Sequence, residues 1–340
     1  MTVRLRAGFL PLVDAANLLV AARMGFAEAE GLELVLSRER SWAAVRDKLS
    51  VGYLDCAHVL SPMVVASQLG LGNFRSRLIA PVMLSMDGNE VVLGSALANL
   101  CAARTGYTPA GPVEWGRAVA AVVREGAAKG APPFNFAAVF PYSAHAYLLR
   151  DWLSGNGLDP DRDVNVSVLP PSMMADALSD GSIDGFCAGP PWGRLSEERG
   201  AGRIAFRAVR LRSGVAEKAL ALRENDPLRD PETLAKLVRA IAAASRWVGE
   251  EANGEELFAL LARAELVGVA AHTIRAAVDR SGMRLSGDGV LRPDQSHGAW
   301  CIAQMRASGR LREDRAQDDA AAARAFRYDL FDAAVAASAP

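Results

Sequence analysis

Two stretches of this 340-residue chain repeat one pattern. Leu49-Ser50-x-Gly52-x-Leu54-Asp55 leads to Pro62, and 129 positions later Leu178-Ser179-x-Gly181-x-Ile183-Asp184 leads to Pro191. In both copies Asp and Pro stand seven residues apart. The pattern reads as a helix end, a Gly that stops the helix in a left-handed turn, a short strand, and a loop opening the next helix. A chain that makes this turn twice is expected to build two similar α/β lobes facing each other across a cleft. The paired loops then point into that cleft, where open α/β sheets hold their ligands.

The rest of the chain alternates strand and helix signals, which argues for mostly parallel sheets. Val3, Leu5, Ala7 and Phe9 alternate with Arg4, Arg6 and Gly8, a strand pattern. Asp14 is expected to cap a helix ending at Gly25, and Ser41 one ending at Gly52. Further strands are expected over 32–36, 54–57 and 78–84, with Pro62 in the first turn of a helix. The second lobe shows strands at 91–93, 136–139, 164–169 and 183–188. Its helices are expected within 104–133, from Ser143 to Asn156, from Ser172 to Gly181 and from Pro191 onward. Asp230-Pro231 is a strong helix start, and 254–282 also reads as helical. The expected division is 1–86 for lobe 1, 87–218 for lobe 2, 219–310 for the return to lobe 1, and 311–340 for a C-terminal helical segment lying on lobe 1 or on a partner.

Composition removes several classes. Lys+Arg number 38 against Asp+Glu 39, for a net charge of −1, so no basic surplus exists for direct nucleic-acid binding. No apolar run approaches the roughly 20 residues that span a bilayer. Pro11, Asp14 and Asn17 interrupt the only apolar stretch near the start, and Arg23 follows it, so the expected location is cytoplasmic. The four cysteines (Cys56, Cys101, Cys187, Cys301) are scattered, as reduced thiols are, and the Cys56/His58 pair falls short of a zinc site. No nucleophile with a paired base, Walker-type loop or H-E-x-x-H occurs, so neither enzyme activity nor a cofactor or metal is expected.

Six motifs then occur in order: Asp55-Cys-Ala-His58-Val-Leu-Ser-Pro62-Met63, Ser143-Ala-His145, Pro170-Pro171, Ile183-Asp-Gly-Phe-Cys-Ala-Gly189-Pro-Pro-Trp192, Glu217-Lys218-Ala-Leu220, and Ser296-His297-Gly-Ala-Trp300. Over about residues 3–310 the chain resembles the nitrate/bicarbonate-binding proteins of ABC importers. Within that family it is similar to the NasS-type cytoplasmic nitrate/nitrite sensors. The resemblance implies a two-lobe, type II periplasmic-binding-protein-like α/β fold with a ligand cleft and no catalysis. It also implies nitrate or nitrite as ligand, and as partner a NasT-like ANTAR antiterminator, the RNA-binding protein held inactive until the anion arrives.

A nitrate site needs several N–H or O–H donors in one plane and at most one cation. By itself Lys218 reads as a solvated lysine paired with Glu217; the resemblance makes it the anion's counter-ion. His145, in the first turn of its helix, is a capping or core histidine by residue type and a ligand by family position. Ser143 either caps that helix or donates to the anion. His58 reads as a packed histidine or a ligand, where transporter-type relatives often carry glutamine. Asn89, within the turn signal Asp87-Gly88-Asn89, falls where the family commonly has a glutamine amide. Gly189 is expected to let the backbone approach the ligand. Trp42 either walls the cleft or packs in a core. His297 and Trp300 are assigned to packing, His272 to a helix surface, and Asp55 and Asp184 to bracing the paired turns.

The function expected from these residues is a sensor that sequesters its antiterminator and releases it on anion binding. The alternatives are the solute-binding component of a nitrate, bicarbonate or sulfonate importer, and an enzyme resembling the thiamine-pyrimidine synthases. The latter depend on a close cysteine cluster that this chain lacks.

Overall fold

The computed structural model describes residues 2–226, 228, 230–287, 289–311 and 316–336. The chain divides into two units. Unit 1 is Met1–Met86, Val215–Ala271 and Met283–Pro340; unit 2 is Asp87–Gly214 and His272–Gly282. Relative to the expected division, the return to unit 1 begins at Val215, and the segment 272–282 goes back to unit 2. Of the segment 311–340, residues 312–315 and 337–340 lie outside the described residues; helices Ala316–Ala325 and Tyr328–Ala336 belong to unit 1.

Strands of unit 1 are β1 (Val3–Phe9), β2 (Leu32–Arg38), β3 (Cys56–Leu60) and β4 (Leu78–Met86). Unit 2 contributes β5 (Glu90–Gly94), β6 (Asn135–Ala138), β7 (Asn165–Val168), β8 (Gly185–Ala188) and β9 (Gly202–Arg207), and β10 (Ala216–Arg223) returns to unit 1. The sheet orders are β2-β1-β3-β10-β4 and β7-β6-β8-β5-β9. Each sheet begins with three parallel strands, and its fourth strand is antiparallel to both neighbours. That fourth strand is the first one formed after the chain crosses units: β5 in unit 2, β10 in unit 1. The sequence pattern missed β10. Its buried, Ala-rich run lacks the alternation that marks a half-exposed strand.

The repeat has the same physical content in both units. Asp55 Oδ2 accepts a hydrogen bond from the Arg6 backbone N–H at 2.7 Å, and Asp184 Oδ2 accepts one from the Asn135 backbone N–H at 2.7 Å, each across 49 residues. The backbone N–H groups of the two aspartates donate in turn to the Arg6 and Asn135 carbonyls. Each aspartate thus ties the start of one strand to its parallel neighbour. Gly52 and Gly181, both at φ +76°, supply the left-handed turn ahead of it.

Three local expectations change. Asp14 does not cap helix Ala16–Arg23; it lies in the short turn Val13–Ala15 with its carboxylate committed elsewhere. Helix Met174–Ser179 follows a 3-10 turn, Pro171–Met173, with no side-chain cap from Ser172. The region 104–133 holds the end of helix Ser95–Thr105 and all of helix Gly111–Ala128, because Gly106 at φ +80° breaks the run. In unit 2, Trp152 anchors the core against Phe206 and Phe136, ring centroids 5.2 and 6.5 Å away, and its indole N–H donates to the Pro112 carbonyl.

Candidate functional site

In unit 1 the cluster grows from β10, which the sheet encloses on both sides. Lys218 pairs with Leu60 of β3 on one side and Ser85 of β4 on the other. Its side chain is 0% exposed, so the expectation of a solvated lysine does not hold. An ammonium in that position needs anionic partners. It has two: Nζ lies 2.7 Å from Asp14 Oδ2 and 2.7 Å from Glu217 Oε1. Burial pulls the Lys218 pKa down, but the two carboxylates outweigh it and hold the value above the usual lysine range. Burial likewise pushes Asp14 up, and Lys218 and His58 overcome it, keeping Asp14 well below the normal carboxylate range.

His58 Nε2 is 2.9 Å from Asp14 Oδ1. Two bare acceptors would repel at that distance, so Nε2 carries a hydrogen. Burial lowers the His58 pKa despite Asp14, and the ring is neutral near pH 7. Its Nδ1 therefore holds a lone pair; neither ring nitrogen makes an aligned hydrogen bond among the described residues, and Nε2 alone has a carboxylate oxygen within ion-pair distance. The ring packs on Trp42, centroids 5.2 Å apart, and Lys218 Nζ sits 5.7 Å from the Trp42 ring, within cation–π range. Trp42 Nε1, Ser61 Oγ and Ser85 Oγ are buried and also lack a partner among the described residues. Lys218, His58 and Trp42 are thus brought together, with Asp14 at their centre.

In unit 2 the candidates gather at one end of the sheet. Glu90 pairs with Ala188, so Asn89 and Gly189 continue from adjacent strand ends. Ala138, the last residue of β6, pairs with Cys187 at the same end, and His145 enters soon after as the second residue of helix Ala144–Gly155. Asn89 and His145 are buried. Ser143 caps this helix: its Oγ accepts from the Ala146 N–H at 3.0 Å, and its hydroxyl hydrogen goes to the Phe140 carbonyl at 2.6 Å. The hydroxyl is thus committed on both sides, its oxygen to the cap and its hydrogen to Phe140.

Among the buried acids that sequence reasoning missed are Asp14 and Glu90. Asp14 is the one charge in the stretch 10–20, and the adjacent pair Glu217 and Lys218 are the charges in the stretch 215–222. Charges set inside two otherwise apolar buried stretches were the available signal. Glu90 is fully buried without a hydrogen-bond partner among the described residues, and desolvation, with Glu197 adding repulsion, pushes its pKa up to about 8. It lines a cavity of about 440 Å³ with Arg207, Arg210 and Arg280. His297 packs edge-on against Phe326, as its packing assignment requires, and the His272 side chain is 78% exposed.

A family model described as the NMT1-like family matches residues 2–262. The bicarbonate transport ATP-binding protein CmpC of Synechococcus elongatus is 30% identical over 311 residues, which are 89% of this chain and 45% of that protein. The nitrate/nitrite binding protein NrtA of Nostoc is 26% identical over 337 residues, 94% of this chain and 73% of that protein. The chain spans about half the length of the first curated relatives it matches. The crystal structure of the periplasmic nitrate-binding protein NrtA of Synechocystis superposes with a TM-score of 0.89 at 24% identity, covering 99% of this chain and 89% of that one. The fold is the two-sheet, periplasmic-binding-protein-like α/β fold.

Proposed function

Because the chain belongs to the NMT1-like family, we propose that it is a NasS-type nitrate/nitrite sensor that holds a NasT-like ANTAR antiterminator and releases it when the anion binds. Its kin bear the names of binding and transport proteins, and the chain is a binding protein rather than an enzyme. The observation that carries the anion reading is the buried Lys218 ammonium, with the Trp42, Ser61 and Ser85 donors near it unanswered among the described residues. A buried donor without an acceptor costs about 1–3 kcal/mol, and a small planar oxyanion supplies acceptors to several at once. Within unit 2, His145 is buried in the first turn of helix Ala144–Gly155, and Asn89 and Gly189 continue from adjacent strand ends. In this reading the protein works in the cytoplasm, which cell fractionation tests.

Calorimetry with nitrate, nitrite and bicarbonate, with and without the antiterminator, tests the whole proposal. Nitrate and nitrite bind, and the antiterminator weakens nitrate binding by the same factor by which nitrate weakens the antiterminator's. Equal nitrate affinities in both titrations contradict the sensor. A second reading, an importer's solute-binding component, is favoured by the 26% identity to the Nostoc NrtA over an alignment covering 94% of the chain. It predicts anion binding that no antiterminator affects.

A further inference from the structure

The ionic groups around Lys218 do not balance. Asp14 and Glu217 are two carboxylates against one ammonium, and His58 is neutral, so the cluster carries one negative charge before any anion arrives. Resting on the anion reading above, we propose that the site takes up its monoanion together with one proton, and that the proton goes to Nδ1 of His58.

The geometry selects that atom. His58 Nε2 lies 2.9 Å from Asp14 Oδ1, within ion-pair range, whereas Nδ1 is buried with no charged group recorded beside it among the described residues. In the neutral ring this lone pair repels an anion. Once protonated, Nδ1–H becomes a charge-assisted donor, while Nε2–H keeps its hold on Asp14. The balance is simple: neutral imidazole plus a solvent proton gives imidazolium, no other bond breaks, and the cluster with its anion returns to one negative charge.

The other titratable groups facing His58 or its partners do not take this role. Asp14, from the turn Val13–Ala15, sits between two cationic or hydrogen-bonding partners that keep it ionised. Lys218, on β10, already carries its proton. Glu217, beside it, is engaged with the Lys218 ammonium. The Cys56 thiol on β3 is pushed up to about 12 by burial, and Cys301, close enough to feel Glu217, is likewise held protonated. Trp42, from helix Trp42–Ser50, does not titrate. His58 is left as the group whose charge can change near neutral pH.

The test is nitrate calorimetry on the full chain at pH 7.5 in a series of buffers of different ionisation enthalpy. The slope of measured heat against buffer enthalpy counts the protons taken up, and about one proton per nitrate is expected. Between the free and nitrate-bound pKa values of His58, affinity falls about tenfold per pH unit as pH rises. His58→Gln keeps a neutral donor toward Asp14, and its slope and pH dependence drop to near zero. Clear nitrate binding by wild type with zero slope overturns the proton uptake but leaves the anion reading standing. Proton uptake that survives in His58→Gln overturns the assignment to His58. No nitrate binding by wild type at any pH overturns both.

Discussion

Units 1 and 2 use one scaffold and end it differently. In each, an aspartate after a left-handed Gly ties two parallel strands together, its Oδ2 accepting a backbone N–H at 2.7 Å. In each, the first strand after the crossing runs antiparallel as the fourth strand. The copies diverge past the braces. Position 58 is a histidine 2.9 Å from a buried ion pair, whereas its repeat partner, position 187, is a buried cysteine. Unit 1 keeps buried charges by pairing them; unit 2 keeps a buried carboxyl, Glu90, by holding its proton. The repeated turn is therefore architecture, and chemistry resides where the copies stop matching.

The largest expected effect is on the paired charges. Lys218→Met leaves Asp14 and Glu217 buried without their cation and lowers stability by about 3–5 kcal/mol in urea unfolding. A loss below about 1 kcal/mol would mean the cluster is solvated and the contrast with unit 2 is false.

The next effect separates the units by pH. Glu90 has a folded pKa of about 8 against an ordinary 4.5, so its stabilising contribution is complete below 4.5 and is lost as pH rises toward 8. Asp14 is shifted the other way; its contribution is present above its unfolded value and lost as pH falls. Base therefore weakens unit 2 first and acid weakens unit 1 first, which amide exchange resolved by unit can read. Glu90→Gln removes the alkaline slope; a slope unchanged in that variant assigns it to another group.

Smaller effects test the equivalence of the repeats. Asp55→Ala and Asp184→Ala each remove a charged acceptor from a backbone N–H and cost about 1.5–3 kcal/mol. Equal losses sharpen the comparison, and a loss confined to one copy breaks it. Gly181→Ala, with no atom within 4 Å of the added methyl, costs about 1 kcal/mol from its positive φ alone. Gly52→Ala places its methyl in ordinary van der Waals contact with the Arg223 guanidinium at 3.5 Å and costs about the same, again from its positive φ.

The repeat made the two α/β units legible because Gly, Asp and Pro each mark a backbone event. Strand β10 was not legible, since a strand enclosed on both faces carries no alternation. The site was half legible. Lys218 and His58 drew attention through their motifs and Trp42 through its place after the Ser41 cap, and the structure gathers them. Asp14 did not, because a carboxylate ahead of a helix looks like a cap, and only tertiary structure reveals that a lysine 204 residues later claims it. Ser143 carried both its readings until its hydroxyl hydrogen was found on Phe140.

Thermal unfolding of ligand-stripped protein across a nitrate series is the most direct check on a Lys218-centred oxyanion site. A site on the native state adds about 2.7 kcal/mol at a hundredfold excess over Kd, so wild type melts progressively higher with nitrate and Lys218→Met does not. A wild-type melting point unmoved by millimolar nitrate and nitrite would contradict the account.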